Sequence, residues 1–205
     1  MDVFTYAPTD YFGSNMYIIS SGKEAAVIDP SVSFSRAARL LSDRGLSLKY
    51  IFVTHPHFDH IFEIDSWVDA NPDAKVLVGV DDSPMLADAY LNCYKIFFGQ
   101  NKGYFGPFST VGEGDAFYLS DERIGILKTP GHTRGSVTLV TDGRIFVGDV
   151  VFADGGVGRC DLPGGDYVSL QSSIAKIAGS ARTYDWSPRN PPALCASATP
   201  GSACR

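Results

Sequence analysis

The chain holds four histidines, and three of them fall within the run Thr54-His55-Pro56-His57-Phe58-Asp59-His60. This run comes directly after the apolar stretch Tyr50-Ile51-Phe52-Val53, which reads as a buried strand delivering side chains to a sheet edge. A single histidine is more often a satisfied structural residue than a ligand; three beside an aspartate reverse that expectation. In an extended or turning loop His55 and His57 point to the same side. Asp59 and His60 are then expected at the start of the following helix, and each pair can face a metal ion. Imidazole and carboxylate suit zinc, iron or manganese, whereas copper(I) and purely structural zinc sites favour thiolates or a closed set of four ligands. The pattern points to a catalytic metal site.

Around this loop, patterns of period two and period three to four alternate. Asn15–Ser20 and Ala25–Ile28 are short β-forming runs separated by the turn Ser21-Gly22-Lys23-Glu24. From Ser33 the apolar residues Phe34, Ala37, Ala38, Leu40 and Leu41 recur at helical spacing, and Gly45 closes the segment. A helix through Ile61, Ile64, Trp67 and Val68 is expected to stop before Pro72, followed by a strand Lys75–Val78 and a helix Ser83–Leu91. Residues 92–115, glycine-rich and weakly patterned, read as a surface loop. Their aromatics (Tyr94, Phe97, Phe98, Tyr104, Phe105, Phe108) are expected to pack on the domain, with a substrate-covering role as the alternative. Strands Ala116–Leu119 and Ile124–Lys128 lead to Thr129-Pro130-Gly131-His132. Strands Ser136–Val140 and Arg144–Val147, joined at Thr141-Asp142-Gly143, lead to Gly148-Asp149. A last helix runs from Asp166 through Leu170, Ile174 and Ile177. Two halves, each of strands then helices, imply an α/β fold: a four-layer αββα sandwich.

Several functions are disfavoured by composition. A net charge of −6 over 205 residues argues against a nucleic-acid partner. No apolar run approaches the roughly 18–20 residues a membrane span needs, so no membrane partner is expected. The start, Met1-Asp2-Val3-Phe4, lacks the basic and apolar regions of a signal peptide. Cys93, Cys160, Cys195 and Cys204 lie far apart, as free thiols in a reducing cytoplasm would. The cytoplasm is therefore the expected location.

His55-x-His57-x-Asp59-His60 resembles the metal-binding motif of the metallo-β-lactamase superfamily. Thr129-Pro130-Gly131-His132-Thr133-x-Gly135-Ser136 resembles its second metal loop, and Gly148-Asp149 the loop of its bridging carboxylate. Gly158-Arg159-Cys160-Asp161-Leu162-Pro163-Gly164-Gly165-Asp166 is similar to a stretch of the glyoxalase II-like hydrolases in that superfamily. The resemblance covers residues 1–178. It implies that His55, His57 and His132 hold a first metal, Asp59 and His60 a second, and that Asp149 bridges them. Zinc, as one or two ions, is the expected cofactor, with iron or manganese as alternatives. Asp59 is the implied catalytic residue, orienting a hydroxide formed from water whose pKa the metals would lower towards about 7. Asp29 is either a partner of a ligand histidine or a turn residue before Pro30. Arg159 either meets an acidic substrate group or pairs with Asp161 or Asp166.

One part of the family pattern is missing. The superfamily usually carries a further histidine in a Pro-Gly-His-Gly loop after the last helix, and this chain has none after His132. From Gly179 the composition shifts and no strand-like run is visible, so residues 179–205 are expected to form an atypical, poorly ordered tail. Two origins are open. One is a natural variant that has lost the ligand. The other is an out-of-frame reading, in which the TGG codon of Trp186, shifted one base, forces a glycine and allows histidine to follow.

By this resemblance the chain is a thioester or related acyl-ester hydrolase acting on a small molecule, impaired by the lost histidine. Without the helical C-terminal extension of glyoxalase II, glutathione specificity is not implied. The alternatives are an oxidoreductase similar to persulfide dioxygenases, with one iron on His55, His132 and Asp149, and an inactive truncated or frameshifted product.

Overall fold

Strands β2 (Met16–Ser21) and β3 (Glu24–Ile28) are buried on both faces. Alternate residues of a strand face opposite ways, so each feeds two cores: Tyr17, Ile19, Ala26 and Ile28 join one, while Met16, Ile18, Ala25 and Val27 join another. Strands covered on both sides require a layer above and a layer below. The computed structural model describes residues 1–8, 13–141, 143–152, 155–183 and 193–196; for 180–183 and 193–196 it describes the backbone alone.

The first sheet runs β1 (Asp2–Tyr6), β2, β3, β4 (Ser47–Val53), β5 (Lys75–Gly79), β6 (Ser109–Val111). It begins as an antiparallel pair of hairpins and becomes parallel from β3 onward. The parallel crossovers carry α1 (Phe34–Arg44) and α2 (Ile64–Ala70), whose Ala37, Leu41, Ile64 and Trp67 cover the outer face. Gly45 ends α1 in the left-handed conformation, as its sequence position suggests. The second sheet runs β7 (Ala116–Leu119), β8 (Glu122–Lys128), β9 (Val137–Thr141), β10 (Arg144–Gly148), β11 (Ala193–Ala196). Leu170 and Ile177 of α4 (Tyr167–Thr183) cover its outer side with Val140, Ile145 and Val147. Between the sheets, Tyr17, Ile19, Phe52 and Leu77 meet Leu119, Ile124, Ile126, Leu139 and Phe146. Each large apolar side chain buried there contributes roughly 1.5–3 kcal/mol, so this layer sets how the sheets align. The result is the four-layer αββα sandwich.

Several local expectations need correction. Asp59 and His60 do not open a helix: they lie in a run of turns, and α2 begins only at Ile64. The helix expected over Ser83–Leu91 is instead a 3₁₀ helix over Val80–Leu86 containing Pro84. The Asp88 carboxylate accepts from the N–H groups of Tyr90 and Leu91, so the side chain captures donors that a continuing helix would use. The loop expected over 92–115 contains α3 (Tyr94–Phe98) and β6, both too short to show a period. After Gly179, where no strand was visible, Ala-Leu-Cys-Ala pairs in parallel with β10. That edge offers unsatisfied backbone groups, and four small or apolar residues suffice to use them. No helix follows β11 among the described residues, and the rest of the tail lies outside them. Cys93 is a buried free thiol. No helix among the described residues is long and apolar enough to cross a membrane.

Candidate metal centre

Every histidine of the chain follows a strand at one rim of the sandwich. His55, His57 and His60 follow β4, and His132 follows β8; Asp149 follows β10. The first sheet thus supplies three imidazoles, and the second supplies one imidazole and a carboxylate. Two clusters form whose ligand atoms all lie within 4.8 Å of one another: His55, His57 and His132, and His55, His60 and Asp149. Asp59 belongs to neither cluster, although its Oδ2 is 3.6 Å from Nε2 of His60. The six residues singled out in the sequence therefore share one site, with Asp59 at its margin and His55 common to both clusters.

Hydrogen bonding fixes which ring nitrogens carry protons. Nδ1 of His132 lies 2.6 Å from the Arg159 carbonyl, which only accepts, so Nδ1 donates and Nε2 presents a lone pair in the neutral ring. Thr54 donates its hydroxyl to Asp29 at 2.7 Å and so accepts from Nδ1 of His55 at 3.2 Å, leaving Nε2 of His55 bare as well. These two bare nitrogens face each other at 3.1 Å. Nδ1 of His57, 2.9 Å from Nε2 of His132, can donate to one lone pair only, and Nε2 of His57 is buried without a partner. Opposed lone pairs repel unless a cation lies between them. The donor set fits a divalent ion bound by imidazole nitrogen.

A similar accounting holds for His60. Its Nδ1 donates to Asp29 at 2.8 Å, which turns Nε2 towards Oδ1 of Asp149 at 3.2 Å. That approach lacks hydrogen-bond geometry, and Nε2 is left without a hydrogen-bond partner. Burial opposes charge on His60, but Asp29, Asp59 and Asp149 outweigh it and raise its pKa well above the ordinary value. Burial lowers the pKa of His55, His57 and His132, with neighbouring imidazoles adding to the effect. The Asp59 carboxyl is pushed up to about 7 by burial, with His60 opposing and Asp149 adding.

Asp29, undecided in the sequence, proves to be the organiser of this rim. Its backbone turns left-handed at φ 54°, a conformation aspartate tolerates better than most residues. Its carboxylate accepts from Thr54 N and Thr54 Oγ1, each at 2.7 Å, as well as from His60. Arg159 pairs bidentately with Asp161 at 2.6 and 2.7 Å, and the carboxyl of Asp166 accepts from Ser169 N at the start of α4. The aromatic segment packs on the rim: Phe97 and Phe98 stand 5.3 and 5.2 Å from the Phe58 ring, yet are 43% and 39% exposed.

Sequence reasoning missed Asp82. It is fully buried within the 3₁₀ helix and accepts from Thr133 and Gly135 in the loop of His132. An acidic residue in a turn gives no sign of burial, and nothing in the sequence flagged it. Burial pushes its carboxyl up to about 6; the Thr133 and Gly135 hydrogen bonds and Arg134 oppose this, and Asp81 adds to it. An acid whose folded-state value lies above its unfolded one holds its proton more tightly in the native state. Stability from this group therefore falls as pH rises from about 4 to about 6, by about 3 kcal/mol. Asp82→Asn removes the titration. Between pH 4 and pH 7, the unfolding free energy of the metal-free variant, measured in urea, is expected to gain on wild type by about that amount. A difference independent of pH would contradict this.

Residues 9–190 match the Metallo-beta-lactamase superfamily. The chain belongs to this superfamily. Within it, the chain is 33% identical over 170 residues to the "probable metallo-hydrolase" YqgX of Bacillus subtilis (strain 168), covering 82% of this chain and 79% of that protein. It is 30% identical over 184 residues to the hydroxyacylglutathione hydrolase GloC of Haemophilus influenzae, covering 82% and 80% of the two chains. Among solved structures it is similar to the BLEG-1 B3 metallo-beta-lactamase, at 25% identity and a TM-score of 0.80 over 97% of this chain and 92% of the other. It is also similar to TTHA1623 in a di-iron-bound form, at 27% identity and a TM-score of 0.72 over 87% and 86%.

Proposed function

We propose that this chain is a cytoplasmic, metal-dependent hydrolase that cleaves a thioester or related acyl ester of a small molecule, with zinc as its working metal. One observation carries the metal reading: the bare Nε2 atoms of His55 and His132 oppose each other at 3.1 Å, both tautomers fixed from behind. The acyl chemistry is supported by the likeness to a hydroxyacylglutathione hydrolase, and the presence of a di-iron neighbour keeps iron within reach of the same ligands.

His55, His57, His132 and Asp149 would hold a first ion; His60, Asp59 and Asp149 would hold a second. A divalent ion there supplies Lewis acidity, polarising a carbonyl and lowering the pKa of water towards about 7. The protein's own residues do the positioning. Asp29 locks the His60 ring, Thr54 locks His55, and the Arg159 carbonyl locks His132. Asp59, at the margin of the cluster, would orient an attacking water.

Activity is tested with a panel of acyl thioesters, a hydroxyacylglutathione among them. Metal-dependent release of thiol without uptake of oxygen is expected. Oxygen consumption on glutathione persulfide, with no thioester cleaved, would replace this reading by the iron oxidoreductase.

The two sites are unequal. The chain has four histidines in all, so His60 is the one imidazole left for the second ion once His55, His57 and His132 hold the first. Zinc titration of the metal-free chain is expected to show one tight equivalent and a second, weaker one. Two equivalents of equal affinity would contradict this assignment of ligands.

A further inference from the structure

The loop of His132 rests on a buried carboxylate that takes no part in the ligand set. Thr133 Oγ1 donates to Oδ2 of Asp82 at 2.5 Å, and Gly135 N donates to Oδ1 at 2.7 Å. Ser136 Oγ lies 2.5 Å from Thr133 Oγ1 and accepts from Thr133 N at 3.2 Å. With Thr133 Oγ1–H committed to Asp82, the Ser136 hydroxyl proton points to Thr133. Ser136, Thr133 and Asp82 then form one directed chain of donors ending on the carboxylate. The backbones interlock at the same place: a Cβ on Gly135 would stand 2.3 Å from Asp82 N, and one on Gly79 would stand 1.9 Å from the Gly135 carbonyl oxygen. The turn leaving β5 therefore grips the loop leaving β8, one residue from His132.

We propose that Asp82 is a positioning residue for the metal centre: its carboxylate holds the Thr133–Ser136 turn in the shape that aims Nε2 of His132 at the ion. This rests on the metal reading above and extends it to a residue of the 3₁₀ helix after β5 that is not itself a candidate ligand. Burying a carboxylate is costly unless its lone pairs are filled, and here the donors that fill them come from the His132 loop. Asp81, the neighbouring acid, is 39% exposed and pairs with Lys128 instead. It provides a charge-matched control.

The test uses cobalt(II) added to the metal-free chain, because its visible absorption reports coordination geometry as well as occupancy. Asp82→Asn is expected to weaken cobalt binding roughly 10- to 100-fold and to change the intensity of the visible bands, while Asp81→Asn matches wild type in both. Thr133→Val removes the hydroxyl donor while keeping the side-chain shape, and is expected to move both readouts in the same direction. It carries the test should Asp82→Asn fail to fold. A purely structural role would lower the thermal midpoint of the metal-free variant and leave the cobalt spectrum and affinity at wild-type values; that result would overturn the proposal. Wild-type chain that takes up no cobalt would instead remove the metal reading beneath it.

Discussion

His132→Ala is expected to strip the chain of tightly bound metal and of hydrolytic activity while leaving its secondary structure in place. Of the three imidazoles in the first cluster, His132 alone comes from the second sheet, and its Nε2 lies 3.1 Å from His55 Nε2 and 2.9 Å from His57 Nδ1. Without it, the proposed first-ion set of four falls to His55, His57 and Asp149, and the second sheet keeps a carboxylate as its one donor to the cluster. The loss should exceed the roughly 10- to 100-fold that removing an outer partner of a ligand costs. Equilibrium dialysis against a chelator, followed by elemental analysis, measures it. Metal retained at wild-type stoichiometry and affinity would remove His132 from the ligand set.

Gly158→Ala is expected to damage the same centre without touching a ligand side chain. A Cβ at that position would lie 1.8 Å from the Asp149 carbonyl oxygen, 2.9 Å from its carbonyl carbon and 3.0 Å from Nδ1 of His132. Two of the three obstacles are backbone atoms, which cannot rotate away, so Asp149 and His132 must move together. Overpacking typically costs roughly 1–3 kcal/mol; with two backbone obstacles the upper end is expected, which in a domain of this size lowers the melting temperature by roughly 6–12 °C. Bound zinc should fall with it. Gly179→Ala, within α4 where an added Cβ meets nothing within 4 Å, is the matching control and is expected to be neutral or slightly stabilising. Equal melting temperatures for Gly158→Ala and wild type would show that the rim yields more easily than its backbone contacts imply.

The candidate ligands were legible because imidazoles are rare in this chain and each follows a strand whose pattern is strong. β4 and the strands before His132 and Asp149 alternate or run apolar over four or more residues, and that marks both the element and its end. Convergence was not legible from residues alone, since no local pattern says that the ends of β4, β8 and β10 meet at one rim. The likeness to a known family carried that step. Asp29 could not be decided because its role depends on Thr54 and His60, brought to it by the pairing of β3 with β4. Asp82 was invisible for a related reason: its donors lie more than fifty residues away. The missed elements are those that tertiary contact makes. β6 has three residues and exists through β5, and β11 has four and exists through β10. The helix expected over Ser83–Leu91 failed for a local reason, as Asp88 diverts the amide donors that helical continuation needs.

The cluster of His55, His57 and His132 draws on both halves of the molecule. An ion seated there would act as a rivet through two plates, and whatever slides one plate against the other would first have to loosen it. Occupancy and the closeness of the plates are then a single equilibrium, with chelation and shearing as its two handles. Amide exchange at the facing strands β2 and β9 should therefore track zinc concentration, although neither strand carries a ligand.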